Sequence, residues 1–409
     1  MRVLHVIPSV SPHRGGPSRV AINLVKHLRE QGVEAEIATT NDDGSGSDAP
    51  LAVPVNCKSE YEGVPVWFFP LSASPRQNVT LGRDKGFLFS ADLTQWLWNH
   101  IRSYDILDNH YLFSYASSCA GAIARWQNVP YTVRTMGQLA PWALAQSRRK
   151  KQLYAFLLER RNLNRAAAVH CTSAGEVTDV RNFGVTAPTL TLPLGVEFSQ
   201  PLPDAKQKLR ARYQLPDGVP LILFLSRLHY KKRPDLLLQA LHQLGSQATP
   251  FHLLLAGSGE PDYLETLKDL VSGLGLAERT TFTGFVAGED KDLVLQGSDL
   301  FVLPSFSENF GIAVAEAMAA GLPVAIAPEV QIAPDIAQAQ AGLVVEGTVS
   351  AFAEAIAHLL NSQSDRVQLG RNGVQYAQQH YTWSAIATQL ANSYQSLCQN
   401  SPSNAIASP

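Results

Sequence analysis

Short unbroken apolar runs and longer stretches with helical spacing take turns along this chain. Residues 3–7 form a first apolar run of strand length. A loop of Gly, Pro and Ser follows, and PSRVAINLVKHLREQG then places apolar residues at three- and four-residue intervals. Pro17 suits the first turn of that helix and Gly32 its stop. VEAEIATT predicts a second strand, and the Asp-, Gly-, Ser- and Pro-rich stretch from residue 41 to about 59 predicts a long surface loop. VPVWFFP and DILDNH read as further strands, the latter flanked by the helical segments ADLTQWLWNHIRS and SYASSCAGAIARWQ. After YTVRTMG the spacing predicts a long helical stretch over 141–166, then two short strand-like pieces in AAVHCTSAGE and TLTLPLGV.

Polar, Pro-interrupted sequence over 196–218 breaks this rhythm. It restarts with PLILFLSRL, FHLLLAG, TTFTGFV, DLFVLPS and LPVAIAP, each separated by a helical segment or a Gly-marked turn. Such alternation predicts α/β units with parallel sheets. The expected division is a first domain over 1–195 and a second doubly wound domain over 196–382. A last helix over 383–398 packs back on the first, and 399–409 is a disordered tail. At 409 residues, two cores of ordinary size are the natural solution.

The 45% hydrophobic and 17% charged content is that of a globular protein. A formal net charge of -2 removes the electrostatic case for nucleic acid as the main partner. Cys57, Cys119, Cys171 and Cys398 lie far apart with no Cys-x-x-Cys pair, which leaves no zinc or redox motif. The first residues lack the apolar core of a signal peptide, and no stretch reaches about 18 consecutive apolar residues. The expectation is a cytoplasmic protein whose membrane contact, if it has one, is peripheral.

The sharpest chemical feature is SFSENFGIAVAEAMAAGLPV, directly after the strand DLFVLP. The loop leads into a helix whose N-terminus offers free N–H groups and a positive dipole end to an anion. Glu308 precedes that helix and Glu316 lies inside it. Eight residues of helix span about 12 Å, too far for one acid/base couple but suited to two ends of an elongated, hydroxyl-bearing ligand. An N-cap carboxylate and a solvated helix carboxylate would give the same pattern. In LILFLSRLHYKKRPD, Arg227 follows a buried strand and Lys232 sits near the next helix start, where doubly wound folds bind ligands and where cations neutralise a diphosphate. Lys231 and Arg233 read as a solvated charge run.

Taken together these residues resemble glycosyltransferase family 4. The family's Glu-x7-Glu pattern is here ENFGIAVAE, and RLHYKK matches its upstream Arg-Leu-x-x-x-Lys. GSGE, FTGF, YTWSAIATQL and the paired Gly15 and Gly16 follow in the family's order. The resemblance implies a GT-B fold, two Rossmann-like doubly wound parallel-sheet domains facing a central cleft, and a retaining, metal-independent hexosyltransferase with no cofactor. It assigns Arg227 and Lys232 to the donor diphosphate, Glu316 to the ribose, and Glu308 to the transferred sugar. Backbone amides of Asn309, Phe310 and Gly311 would complete the pocket, with Gly15 and Gly16 approaching from the other domain. His110, at the end of DILDNH, would hydrogen-bond the sugar or acceptor, although a His packed at a strand end is the alternative. Partners would be a UDP- or GDP-sugar and a glycan or lipid-linked acceptor of polysaccharide or glycolipid biosynthesis. The chain departs from the family at Pro193-Leu194-Gly195-Val196, where Pro-Asn-Gly-Val is common, and at Arg233, where Gly is common.

Residues 141–165 carry Arg148, Arg149, Lys150, Lys151, Arg160, Arg161 and Arg165 against Glu159 alone, a pattern that fits an anionic membrane surface or a solvated face over a core. Asp290-Lys291-Asp292 reads as solvated acids at a helix start, and no His/Asp cluster in the sequence points to a metal. A GT-B-fold sugar-nucleotide epimerase and a non-catalytic nucleotide-sugar binding protein fit the same donor motifs. A dehydrogenase does not, because SPHRGGPS lacks Gly-x-Gly-x-x-Gly.

Overall fold

The computed structural model describes residues 1–44, 50–72, 88–145, 159–245 and 250–399. The chain divides into two compact units, residues 1–195 joined by those from Trp383 onward, and residues 196–382.

Unit 1 is built on β1 (Arg2–Val6), β2 (Glu34–Thr40), β3 (Lys58–Tyr61), β4 (Val64–Phe69), β5 (Ile106–His110), β6 (Tyr131–Arg134), β7 (Ala168–Cys171) and β8 (Thr189–Thr191). They form one sheet in the order β3-β4-β2-β1-β5-β6-β7-β8. Only β3 runs antiparallel to its neighbour. The principal helices are α1 (Gly16–Glu30), α2 (Ala91–His100), α3 (Tyr115–Trp126) and α4 (Ala174–Asn182). Successive residues of β1 are buried because both faces are covered: Val3 joins the core of α1, while Leu4 and Val6 join that of α2 and α3. Ser90, Ser114 and Ser173 cap α2, α3 and α4 by accepting the amides of Leu93, Ser117 and Glu176.

Unit 2 holds β9 (Leu221–Leu225), β10 (His252–Ala256), β11 (Thr280–Gly284), β12 (Leu300–Leu303), β13 (Val324–Ile326) and β14 (Gly342–Val344), all parallel in the order β11-β10-β9-β12-β13-β14. Its helices include α5 (Ala205–Tyr213), α6 (Pro234–Leu244), α7 (Pro261–Gly273), α8 (Gly288–Gly297), α9 (Ile312–Ala319), α10 (Val349–Asn361) and α11 (Gln363–His380). The chain then returns to unit 1 as α12 (Trp383–Gln399), which lays Trp383, Ile386, Leu390 and Tyr394 into the core over β1 and α1.

Two strands escape the sequence pattern. β3 falls at the end of the expected loop, and its KSEY sequence is the polar edge of a sheet, where alternation carries no apolar signal. β14 is three residues long. The last helix reaches Gln399, one residue beyond expectation, and the expected disordered tail otherwise lies outside the described residues. The 141–166 stretch is helical at Pro141–Ala145 and Arg160–Asn164, and the basic run Arg148–Lys151 lies outside the described residues. Among the described residues no helix is long and apolar enough to cross a membrane.

Candidate functional site

In unit 2 the strand order reverses between β9 and β12, so the crevice at their carboxyl ends is the switch point where open α/β sheets bind ligands. The loops leaving these strands are stitched together. The Phe306 amide donates to the Lys231 carbonyl at 3.2 Å, and the Ser305 hydroxyl donates to the same oxygen at 3.0 Å. This brings Lys232, 8% exposed, into an ion pair with Glu308. Glu308 is also held from β13's side, its amide donating to the Glu329 carbonyl and its carbonyl accepting from Gln331.

Gly311 caps α9 with φ of 82°, a left-handed conformation natural to glycine. A Cβ there would stand 2.9 Å from Val330 Cγ1. With no side-chain acceptor at this cap, the N-terminus of α9 keeps its positive end open. Glu316, inside α9, pairs with Lys291 of α8 at 2.8 Å beside a cavity of about 210 Å³ that Asp292 and Gln296 also line. Lys291 was missed because its flanking acids make GEDKDL read as solvated; only the fold shows it turned to Glu316. Asp292 is likewise engaged, accepting from Ser199 at 2.6 Å.

Arg227 is exposed on the loop after β9. Lys231 departs from the solvated reading: it is half-buried, and burial, followed by the neighbouring Lys232, lowers its pKa. Arg233 adopts φ of 55°, so the arginine holds the left-handed backbone that a glycine would take without strain. Asn309 and Phe310 lie on the loop into α9. Phe310 is 3% exposed and edge-packed on Tyr381, so any ligand contact there comes from main chain.

In unit 1 the corresponding switch point lies between β1 and β5. Gly15, with φ of 81°, and Gly16 open α1 with free space where a Cβ would stand. The loop before them is clamped by Arg14, whose Nε and Nη2 donate to Asp42 at 2.8 and 2.9 Å.

His110 is placed differently from expectation. It is 0% exposed, its Nε2 shares a hydrogen bond of 3.0 Å with His5 Nδ1, and its Nδ1 is buried with no hydrogen-bond partner. It belongs to a buried polar belt crossing β1, β5, β6 and β7. At its centre Asp108 Oδ2 accepts from Arg134 Nε at 2.7 Å and from the Tyr394 hydroxyl of α12 at 2.5 Å, while Oδ1 accepts from Thr132 at 2.8 Å. Burial alone would raise the Asp108 carboxyl, but Arg134 and the histidines hold it well below the usual carboxylate range. Burial lowers His5 to about 4 and His170 to about 3, and places His110 well below its usual 6.5.

His5, Asp108 and His110 bring their ligand-type atoms within 4.8 Å of one another, a grouping invisible in sequence because 103 residues separate the first two. Its chemistry is that of an internal ion pair. Asp108 already serves Arg134, Tyr394 and Thr132, and a guanidinium beside the carboxylate opposes a second cation.

Comparisons with known proteins bear on both units. The model described as "Glycosyl transferases group 1" matches residues 205–376, and that described as "Glycosyl transferase 4-like domain" matches residues 15–195. A GDP-mannose-dependent alpha-(1-6)-phosphatidylinositol monomannoside mannosyltransferase of Mycobacterium tuberculosis is 35% identical over 221 residues, 51% of this chain. That match spans 56% of the relative, so the chain covers little more than half the length of such relatives. A D-inositol 3-phosphate glycosyltransferase of Stackebrandtia nassauensis is 27% identical over 96% of this chain and 89% of its own. Among solved structures, HepE of Anabaena in complex with UDP superposes with a TM-score of 0.75 at 20% identity, over 97% of this chain and 100% of that one. Sucrose-phosphate synthase of Thermosynechococcus elongatus gives 0.72 at 20% identity, over 97% and 99%. These likenesses show a GT-B fold.

Proposed function

Because the chain belongs to the group 1 glycosyl transferases, we propose that it is a retaining hexosyltransferase that moves a sugar from a UDP- or GDP-sugar to a hydroxyl of a glycan or lipid-linked acceptor. The observation that carries this reading is the unit 2 switch point. There the Lys232–Glu308 pair, Arg227 and the open N-terminus of α9 converge, with Glu316 farther along the same helix.

In this reading Arg227, Lys232 and the helix N-terminus receive the diphosphate. They stabilise its charge as it departs from an oxocarbenium-like sugar, a task that then needs no metal or other cofactor. Glu308 is well placed to exchange Lys232 for a sugar hydroxyl, and Glu316 to accept from the ribose while Lys291 holds it in place. The acceptor oxygen attacks the face the diphosphate leaves, and the departing phosphate takes its proton. His110 acts from inside the sheet, fixing the end of β5 through His5. The name of the mannosyltransferase relative favours a GDP-sugar, and both relatives' names favour an inositol-bearing acceptor, free or lipid-linked.

The test is a thermal-shift panel of UDP-, GDP- and ADP-sugars, since a ligand of the folded state raises its melting temperature. Glu316→Ala then chiefly weakens nucleotide binding and Glu308→Ala chiefly lowers turnover. Absence of any shift removes the donor site, and equal losses in both measurements for both variants remove the division of labour. Turnover of a nucleotide-sugar without acceptor into its epimer would favour an epimerase instead.

A further inference from the structure

At the carboxyl edge of the unit 1 sheet, beside the β1/β5 switch point, the backbone is unusually contorted. Tyr111 and Phe113, just beyond β5, have φ of 76° and 56°, and Met136, just beyond β6, has φ of 51°. Bulky residues rarely hold left-handed backbone, and they persist in it only where the surroundings over-determine the loop.

The over-determining group is a buried carboxylate. Glu176, 1% exposed in the first turn of α4, accepts with Oε1 from the Thr135 hydroxyl at 2.5 Å and the Gly137 amide at 2.6 Å. Its Oε2 accepts from the Thr172 amide at 2.7 Å and the Thr172 hydroxyl at 2.9 Å. One side chain thus ties the loop after β6 to the end of β7. The β6 loop passes the constraint on: Gln138 Oε1 accepts from the Leu112 amide at 2.6 Å, between the two left-handed residues of the β5 loop. That loop is pinned again by Glu159, 0% exposed, whose Oε1 accepts from the Phe113 amide at 3.0 Å and the Ser118 hydroxyl at 2.7 Å. Met136, Gly137 and Gln138 remain half-buried, so the loop keeps part of its surface open to solvent.

We propose that Glu176 is a positioning residue that holds the loops at 111–113 and 135–138 as a preformed rim recognising the hydroxyl-rich acceptor. This rests on the transferase reading above. Glu176 touches no substrate; it acts through Thr135, Gly137 and Gln138. A strained loop braced from below keeps its shape without ligand, so the acceptor meets it without an ordering cost. The charged donor groups Arg227, Lys232, Glu308 and Glu316 lie in unit 2, and the hydrogen bonds of Glu176 above run to neither them nor Gly15 and Gly16, so weakening the brace separates the acceptor's share of the reaction from the donor's.

Glu176→Gln is the informative change, because the carboxamide presents an N–H₂ to donors on one side or the other and cannot satisfy both loops. Three measurements are made on the full chain: affinity for GDP-mannose by thermal shift, transfer from GDP-mannose to vesicles containing phosphatidylinositol, and hydrogen exchange of the Gly137 amide. The expected result is unchanged GDP-mannose affinity, an acceptor KM raised about tenfold, the equivalent of one charge-assisted hydrogen bond, and exchange at Gly137 faster by a similar factor. Thr135→Val, which deletes one donor and leaves the carboxylate, gives a smaller change in the same direction and stands in should Glu176→Gln not fold. Unchanged acceptor KM, or donor affinity falling in step with it, overturns the proposal. A wild-type chain that transfers nothing from any nucleotide-sugar refutes the transferase reading separately. The Gly137 exchange rate then decides by itself whether Glu176 braces the rim, and an unchanged rate ends the proposal.

Discussion

Lowering the pH from 7.5 to 5.5 should destabilise unit 1 steeply. His5, His110 and His170 are wholly buried in unit 1 and their folded-state pKa values lie below 6.5. The unfolded chain therefore binds more protons than the folded one below that pH, and stability falls as pH falls through 6.5 toward 4. At pH 5.5 each histidine that must stay neutral to fold costs roughly 1 kcal/mol, and the group several kcal/mol. That is a large part of the roughly 5–15 kcal/mol that holds a domain together. Glu159, whose carboxyl burial raises, works in the opposite direction and offsets part of one histidine. Asp108 and Glu36, both lowered, begin to matter only below their ordinary values near 4. The assay is built into the sequence: Trp67, Trp96, Trp98, Trp126, Trp142 and Trp383 all belong to unit 1, so tryptophan fluorescence follows that unit alone through a urea titration. The urea midpoint should drop steeply between pH 7.5 and 5.5, and His170→Leu should flatten the drop by about one third. Equal midpoints at the two pH values would refute the argument that the belt excludes protonated imidazole.

Removing the hydroxyl that α12 donates to Asp108, by Tyr394→Phe, should cost unit 1 about 2 kcal/mol by the same fluorescence titration, and a loss under 0.5 kcal/mol would mean that Arg134 suffices. Gly195→Ala should destabilise unit 1 by about 1–3 kcal/mol, because the new Cβ would stand 2.2 Å from the Trp383 ring; an unshifted midpoint would show that α12 can move aside. Lys291→Ala, which strips Glu316 of its partner, should weaken nucleotide affinity about fivefold or less, less than Glu316→Ala does. The reverse order would make Lys291 the primary contact.

Much of the architecture could be read from spacing alone, since strands buried on both faces are continuous apolar runs and the helices between them carry period and caps. β3 and β14 could not, one being a polar edge and the other three residues long. At the candidate site, the places of Glu308, Glu316 and Lys232 beside strand ends and helix starts were legible in the sequence. Their partners were less so: Lys232 reaches Glu308 across 76 residues and Lys291 reaches Glu316 from another helix, and such pairings follow from strand order. His110 left two readings open in the sequence, because a histidine at a strand's carboxyl end looks the same whether its ring turns outward or, as its Nε2 does here, toward a His on the adjacent strand. Glu176 carried no signal at all, since AAVHCTSAGE reads as a strand-like piece whereas its last residues open a helix capped by Ser173.

The return of α12 to unit 1 has a consequence for synthesis. Unit 2 is in effect an insertion within unit 1, and the last side chains of the first core, Trp383 through Tyr394, leave the ribosome only after the whole of unit 2. Until then Asp108 lacks its tyrosine, and the apolar faces of β1 and α1 stay uncovered. Unit 2, contiguous in sequence, can complete itself first, so the nascent chain finishes its second half before its first. A fragment ending at residue 195 would keep a whole sheet and still be an unfinished domain, whereas residues 196–382 could be excised as one piece.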